Sequence, residues 1–240
     1  MENYPVTLYA DAQHKPIESG AVLLEKVPSL ARYPNFLRRF LVFALQRLIC
    51  EDRINAFLSK HALARDFDFV DQVFQHLQTD YTVRHSDLEN IPTHGRVIIV
   101  ANHPLGGLDG LALLQLVSRV RRDVRIVVND LLLNITQLNN VSLPVRALGG
   151  ETRKADISRI RDALNNDEAV IIFPSGEVSR AGPKGIRDRK WLPGFIQLAK
   201  TTRAPLLPVH IKARNSNLFY AVSRISQPLS MLMLPREMLG

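Results

Sequence analysis

From residue 90 onward, short runs of β-branched and aliphatic residues alternate with stretches of helical periodicity. The runs predict strands over residues 96–102, 124–129, 168–174 and 205–211. The stretches between them predict helices near residues 109–120, 153–166 and 193–202. Because strands that are joined through helices run parallel, this order predicts an α/β fold, with a mostly parallel central sheet and helices on both faces.

Residues 1–90 follow a different pattern, an irregular lead-in and then apolar residues at a spacing of three or four. The segment FLRRFLVFALQRLIC combines such apolar residues with Arg38, Arg39 and Arg47. The pattern predicts an amino-terminal region with two or three helices, followed by an α/β core over residues 91–240.

The chain has 240 residues, 46% of them hydrophobic, which is enough for a core that needs no disulfide or metal. Its single cysteine excludes an internal disulfide framework, so an intracellular location is expected. The amino terminus, MENYPVTLYADAQHKP, lacks the basic stretch and apolar core of a signal peptide. No uncharged apolar stretch reaches the roughly 18 residues that a spanning helix needs.

The net charge of +8 favours an anionic partner, which is a nucleic acid, an anionic membrane face or a phosphorylated substrate. Nucleic-acid binding is disfavoured, because the chain has no nucleic-acid motif and its tyrosines and tryptophan do not alternate with the basic runs. Residues 180–190 contain five Lys or Arg residues and one acidic residue, Asp188. This basic run is either an anion-binding segment or a solvated loop, and its glycines and proline favour a mobile segment near the site.

The segment VANHPLGGLDG, residues 100–110, leaves the first predicted core strand, and such loops carry the chemistry of open parallel sheets. Gly106 and Gly107 permit positive φ or a close backbone approach, and Asp109 lies where a carboxylate caps the next helix. A histidine held by a carboxylate is the usual general base near neutral pH. His103 and Asp109 are therefore the candidate catalytic pair, and a hydrogen-bonded turn histidine is the structural alternative.

Two other kinds of site are disfavoured. The chain has no GxSxG motif, so a serine-hydrolase triad is not supported. Its seven histidines are scattered, without a His-x-x-x-His motif, and it has no cysteine pair. The sequence predicts no metal site.

The turn resembles the first motif of the glycerolipid acyltransferases, the lysophospholipid acyltransferase superfamily, in which an Asn-His pair leads to an aspartate. Asn102, His103 and Asp109 match it, with one residue more than the family's common spacing, a variant that is similar to the haemolysin-like subgroup. The resemblance implies that His103 deprotonates the acceptor hydroxyl and that Asp109 orients it. We expect Asn102 to contact the substrate and the amides of Gly106 and Gly107 to stabilise the oxyanion.

The segment FPSGEVSR, residues 173–180, begins at the end of the strand predicted over residues 168–174. It resembles the family's third motif, Phe-Pro-Glu-Gly-Thr-Arg-Ser. A serine stands at the family's glutamate position, the glutamate follows two residues later, and the arginine comes after the serine instead of before it. The haemolysin-like subgroup has this altered pattern. The acceptor contacts that the resemblance implies come from Ser175, Gly176, Glu177, Ser179 and Arg180.

The other two motifs are less specific. In RALGGETRK, the resemblance implies that Arg153 binds the acceptor's phosphate at a helix start, where backbone amides also bind anions. The structural alternative is that Glu151 or Thr152 simply caps that helix. APLLPV, residues 204–209, resembles the family's apolar fourth motif, and proline in a strand predicts a position at the edge or end of the sheet.

The resemblance implies direct acyl transfer from a thioester to the hydroxyl of a lysophospholipid or a glycerol phosphate-type acceptor. The donor would be acyl-CoA or acyl carrier protein, and no cofactor is expected. The segment FLRRFLVFALQRLI is then expected to lie as a basic amphipathic helix on an anionic membrane face, although an ordinary packed helix is the alternative. The expected location is cytoplasmic, peripheral at the inner face of the membrane.

Two alternatives to acyl transfer stay open. A hydrolase of lipid esters or thioesters would use the same pair, His103 and Asp109, to activate water, and the acceptor-binding arginines favour transfer over it. The altered third motif is also compatible with a non-catalytic protein of this fold that binds lipid.

Overall fold

A computed structural model describes residues 34–129, 134–145, 154–183 and 185–239 of the chain. The chain divides into two compact units, Met1–Ala64 and Arg65–Gly240. In the described part of the first unit, helix α1 (Asn35–Leu48) precedes helix α2 (Glu51–Lys60). The sequence pattern changes near residue 90, but the division between the units lies earlier, because the helix Asp66–Leu77 already belongs to the second unit.

The second unit contains all the described strands. Its helices are α3 (Asp66–Leu77), α4 (His85–Leu88), α5 (Gly107–Ser118), α6 (Lys154–Asn165), α7 (Gly194–Thr202), α8 (Asn217–Ile225) and α9 (Gln227–Leu239). Its strands are β1 (Val97–Ala101), β2 (Val124–Asn129), β3 (Ser142–Val145), β4 (Ala169–Ile172), β5 (Arg180–Gly182), β6 (Gly185–Arg187) and β7 (Leu206–Val209). None of the helices in the described ranges is long and apolar enough to cross a membrane.

The main sheet has five strands in the order β3-β2-β4-β1-β7, and every pair in it is parallel. The predicted α/β fold is confirmed, and the four predicted strands are present. The sequence analysis missed β3, because this four-residue strand contains Pro144 and carries no clear period. Both β3 and β7 are edge strands with an internal proline, as expected for a residue that cannot donate to a ladder.

Side chains of alternating parity on the strands face opposite layers of helices. Ile98 and Val100 of β1 belong to a buried cluster with Ile160 of α6 and Leu198 of α7. On the other face α5 approaches the sheet closely, because its Gly110 lies against the side chain of Ile126 in β2. The central sheet is therefore covered on both faces, and β1 is buried along its whole length.

Arg121, which is 5% exposed, joins several segments at the start of β2. Its Nε and Nη2 donate to the two carboxylate oxygens of Asp123 at 2.7 and 2.6 Å. It also donates to the carbonyl oxygens of Pro92, Gly95 and Asp167, at distances of 2.6 to 3.2 Å. A buried guanidinium whose donors are this fully used holds the loops around it in register.

The predicted basic run near the site forms a short hairpin. Strands β5 and β6 pair antiparallel, with Arg180 opposite Arg187 and Gly182 opposite Gly185. Gly182 and Gly185 therefore lie at the ends of two paired strands, and the expected mobility of this segment stays a prediction.

Candidate active site

Three loops meet at one edge of the main sheet. β1 lies between β4 and β7 and runs parallel to both, so the three carboxyl ends point to the same edge. Residues 102–106 follow β1, residues 173–179 follow β4 and residues 210–216 follow β7. Because α/β proteins bind ligands at the carboxyl ends of parallel strands, this edge is the candidate active site.

His103 and Asp109 lie together there. The Nδ1 atom of His103 is 3.2 Å from Oδ2 of Asp109, an ion-pair distance, although the two groups are not oriented for a hydrogen bond. The imidazole stacks on Phe173, with the ring centroids 4.1 Å apart. The side chain of Asp109 is 1% exposed and that of His103 is 19% exposed, so the ring lies between the carboxylate and the solvent. Its Nδ1 is buried, which leaves Nε2 as the nitrogen for contact with another molecule.

Asp109 also organises the start of helix α5. Its Oδ2 accepts the backbone N–H groups of Leu105 at 2.7 Å and of Gly106 at 3.0 Å, just before the first helical residue. Helix capping and a close approach to His103 are therefore compatible at this aspartate, since the same oxygen atom makes both. The other oxygen, Oδ1, is buried and has no hydrogen-bond partner among the described residues.

Two asparagine side chains attach the loop after β1 to the loop after β7. Asn102 donates to the carbonyl oxygen of Ile211 at 2.9 Å and accepts the N–H of the same residue at 2.7 Å. Asn215, which is 6% exposed, donates to the carbonyl oxygen of Pro104 at 3.0 Å. Both ends of the Asn102 amide thus bind the main chain, and its expected contact with substrate stays a prediction. Sequence reasoning missed Asn215, because a single asparagine in a loop belongs to no motif.

The two glycines of the loop differ in their roles. Gly106 has a φ of 86°, and a Cβ atom there would lie 3.3 Å from side-chain carbons of Leu234 and Val178. Its N–H is donated to Asp109, which makes it unsuitable for stabilising an oxyanion. Gly107 is exposed and begins α5, where an N–H group has no partner inside the helix. Of the two expected oxyanion donors, Gly107 is the one that the geometry leaves available.

The loop after β4 begins with a tight turn. The N–H of Gly176, whose φ is 67°, donates to the carbonyl oxygen of Phe173 at 3.1 Å. Ser175 is 6% exposed, and its hydroxyl donates to the carbonyl oxygen of Glu177 at 2.8 Å. These contacts shape the turn, and the expected contacts of Ser175 and Gly176 with an acceptor stay predictions.

Glu177 lies between two arginines beside this turn. Its carboxylate oxygens are 3.5 Å from Nη2 of Arg180 and 3.0 Å from Nε of Arg189. Arg180 also donates to the hydroxyl of Ser230 in α9 at 2.6 Å, and its side chain is 14% exposed. Two guanidinium groups thus share this carboxylate, and the Arg189 side chain, which is 70% exposed, is accessible to an anion.

Ser179 and Asp188 hold the main chain of His103. The N–H of Ser179 donates to the carbonyl oxygen of His103 at 2.8 Å, and its hydroxyl donates to Oδ1 of Asp188. The same oxygen of Asp188 accepts the N–H of His103 at 3.2 Å, and Oδ2 accepts Nε1 of Trp191 at 2.9 Å. Sequence reasoning missed Asp188, because the only acid of a basic run has the pattern of a surface counter-charge.

The predicted anion-binding residue of the second motif, Arg153, lies outside the described residues. Within the ranges that the structure describes, no group of three or more His, Cys, Asp or Glu side chains is placed to hold a metal ion. The described part of the site therefore offers a histidine with a buried carboxylate behind it, a helix amino terminus and an arginine-rich rim. This set is suited to removing a proton from a hydroxyl that attacks a carbonyl group.

Comparison with known proteins identifies similar chains. A model of a family described as acyltransferase matches residues 21–240. The lyso-glycine lipid O-acyltransferase of Phocaeicola vulgatus is 33% identical over 212 residues, which cover 85% of this chain and 75% of that protein. The protein of the same name from Bacteroides thetaiotaomicron is 32% identical over 230 residues, covering 92% of this chain and 82% of that protein.

Among solved structures, the 1-acyl-sn-glycerophosphate acyltransferase of Thermotoga maritima matches with 20% sequence identity and a TM-score of 0.40. The match covers 70% of this chain and 69% of that one.

Proposed function

The chain belongs to the acyltransferase family, and from this premise we propose that it moves a fatty acyl group from a thioester to the hydroxyl of a lysolipid. It is an O-acyltransferase of the glycerolipid acyltransferase superfamily, with a function in lipid metabolism. The observation that carries the proposed mechanism is the 3.2 Å approach of His103 to the buried carboxylate of Asp109.

In the proposed reaction, Nε2 of His103 takes the proton of the acceptor hydroxyl as its oxygen attacks the thioester carbonyl. Asp109 stabilises the imidazolium that forms, and a small rotation of the ring would convert the present approach into a hydrogen bond. Such bonds are often poorly aligned until substrate is bound. The C–S bond then breaks, the thiolate leaves, and the proton on His103 is available to it. The N–H of Gly107 is the donor proposed for the tetrahedral oxyanion.

The proposed acceptor carries an anionic headgroup. Both curated relatives are named as acting on a lyso-glycine lipid, which makes that lipid the first candidate acceptor, with a lysophospholipid as the second. The exposed cations Arg187, Arg189 and Lys190, beside the turn after β4, support an anion there. The donor is proposed to be acyl-CoA or acyl carrier protein, and the net charge of +8 suits either of these anionic molecules.

Helix α1 is proposed to dock on a membrane. Phe36, Phe40 and Phe43 are 77, 64 and 55% exposed, and the helix has no buried residue. The guanidinium of Arg47 lies 5.5 Å from the ring centroid of Phe43. A helix that exposes aromatic rings beside arginines suits the headgroup region of an anionic bilayer. This supports a peripheral location at the cytoplasmic face of the membrane.

The test is thiol release from palmitoyl-CoA and from palmitoyl-acyl carrier protein, with lyso-glycine lipid, with lysophosphatidate and without acceptor. We expect acceptor-dependent release that His103→Ala abolishes. Release without acceptor that the same substitution abolishes would establish the thioesterase alternative instead. No release from either donor by the folded protein would contradict catalysis and favour a lipid-binding role.

A further inference from the structure

The carboxylate of Asp188 faces inward from a strongly basic segment. Its neighbours Arg187, Arg189 and Lys190 are exposed, whereas Asp188 is half-buried. In the described part of the chain, the ion pairs do not include Asp188, although basic residues flank it on both sides. The position of this carboxylate is therefore fixed by contacts other than ion pairs.

Three neutral donors converge on that carboxylate. Oδ1 accepts the backbone N–H of His103 at 3.2 Å and the hydroxyl of Ser179, and Oδ2 accepts the indole N–H of Trp191 at 2.9 Å. Ser179 also donates its own N–H to the carbonyl oxygen of His103 at 2.8 Å. The backbone N–H and the carbonyl oxygen of His103 are therefore both bonded to residues of the stretch 179–188.

We propose that Asp188 is a positioning residue, which fixes the main chain of His103 so that its ring keeps the orientation needed for base catalysis. The proposal rests on the proposed function and adds a residue that neither the motifs nor the pairing with Asp109 indicates. The carboxylate does not reach the imidazole. It acts through the N–H of His103, which lies one residue beyond the attachment of Asn102 to Ile211.

The position of the backbone matters because the ring has few other restraints. The described contacts of the imidazole are its stacking on Phe173 and its approach to Asp109, and neither is a hydrogen bond. A displacement of about 1 Å at a catalytic group can cost about a hundredfold in rate. The loss of the Asp188 bond would allow the peptide unit before His103 to rotate and would carry the ring with it.

Four variants of the full chain separate positioning from general stability. Asp188→Ala removes the hydrogen-bond acceptor, and Asp188→Leu removes it while keeping a side chain that branches at Cγ. Asp188→Asn keeps one oxygen for the N–H of His103. Asp162→Ala is the matched control, because it removes the same charge from an exposed position on α6.

The experiment measures kcat and KM for acceptor-dependent acyl transfer, together with hydrogen exchange of the His103 amide by NMR. In Asp188→Ala and Asp188→Leu we expect kcat to fall about a hundredfold, with the KM for the thioester almost unchanged. The His103 amide should exchange about tenfold faster, as expected for the loss of one hydrogen bond. Asp188→Asn should restore most of kcat and of the amide protection, and Asp162→Ala should match the parent.

Either of two results would overturn the proposal. One is a folded Asp188→Leu protein with the parent's kcat or the parent's amide protection. The other is an equal loss of kcat in Asp162→Ala, which would indicate a general effect of charge. If the parent catalyses no acyl transfer, the proposed function fails, and the exchange of the His103 amide still decides whether Asp188 holds this peptide unit.

Discussion

Leu234 of α9 packs directly on Gly106 of the loop after β1, and a Cβ atom on that glycine would lie 3.3 Å from Cδ1 of Leu234. Helix α9 therefore covers the point where the loop turns into α5. Met238, one turn further along, lies against Gly107 in the same way, with its sulfur 3.4 Å from the position of a Cβ. The tolerance of this loop to substitution is thus set by a helix more than 120 positions away in the sequence.

Gly106→Ala should destabilise the protein and reduce its activity. The substitution forces a side chain onto a φ of 86°, which costs on the order of 1–3 kcal/mol, and adds contacts with Leu234 and Val178. Gly95→Ala is the matched control, because its φ is 77° and its Cβ would meet nothing within 4 Å. In urea unfolding, Gly106→Ala should lose more free energy of unfolding than Gly95→Ala. Combining Gly106→Ala with Leu234→Ala should reduce the cost of the alanine at residue 106. Equal losses would mean that the packing of α9 on the loop contributes nothing.

Gly110→Ala should destabilise the contact between α5 and the sheet. Alanine favours a helix over glycine by about 1 kcal/mol, but the new methyl group would lie 2.8 Å from Cδ1 of Ile126. Ile126→Val removes that carbon. The double variant Gly110→Ala/Ile126→Val should therefore have a stability close to that of the parent. Thermal unfolding of both single variants and the double variant measures this coupling. Strict additivity of the two effects would argue against the contact.

Asp109→Asn should leave the fold nearly intact and remove most of the activity. An asparagine oxygen can still accept the N–H groups of Leu105 and Gly106, so we expect a loss of unfolding free energy of about 1 kcal/mol or less. The neutral amide cannot stabilise an imidazolium at His103, and kcat should fall by about a thousandfold. Asp66→Asn, at the start of α3, is the control, because the described hydrogen bond of its carboxylate is with Asn140. A kcat within a few-fold of the parent's would exclude Asp109 from catalysis.

The contact between Arg121 and Asp123 predicts that the free energy of unfolding depends on pH in the acid range. The hydrogen bonds from Arg121 lower the pKa of Asp123, so its contribution to stability is present above its unfolded pKa and is lost as the pH falls through the lower, folded value. Since the Asp123 side chain is 51% exposed, this contribution should be below about 1 kcal/mol. Asp123→Asn should be less stable than the parent at pH 7, and the difference should shrink below about pH 4. A difference that stays constant from pH 7 to pH 3 would contradict this linkage.

Local patterns were sufficient to predict the strands whose residues are almost continuously apolar. β1, β2 and β4 are such strands. The candidate pair His103 and Asp109 was identified from one short segment after β1, and the two side chains do lie together. The hairpin of β5 and β6 was not predictable in this way, because three-residue strands rich in glycine and arginine carry no period.

The supporting side chains of the site could not be predicted for a different reason. Asp188 contacts His103 across 85 positions, and Asn215 contacts Pro104 across 111 positions. Neither belongs to a motif, so only the folded chain identifies them. For Asp109 the sequence indicated a capping position and a partner for His103, and in the structure the same oxygen, Oδ2, accepts the N–H of Gly106 and lies 3.2 Å from Nδ1 of His103.

The attachment of Asn102 to Ile211 has a consequence for motion. The ladder of β1 and β7 ends with Ala101 opposite Val209, and the amide side chain of Asn102 adds one more pair of hydrogen bonds beyond it. His103 is therefore one residue from the last bonded position of a central strand. Its backbone should fluctuate on the picosecond-to-nanosecond timescale as little as the strand does, with an amide order parameter of about 0.85. His103, the proposed base, is then held by the sheet as rigidly as the end of β1 itself.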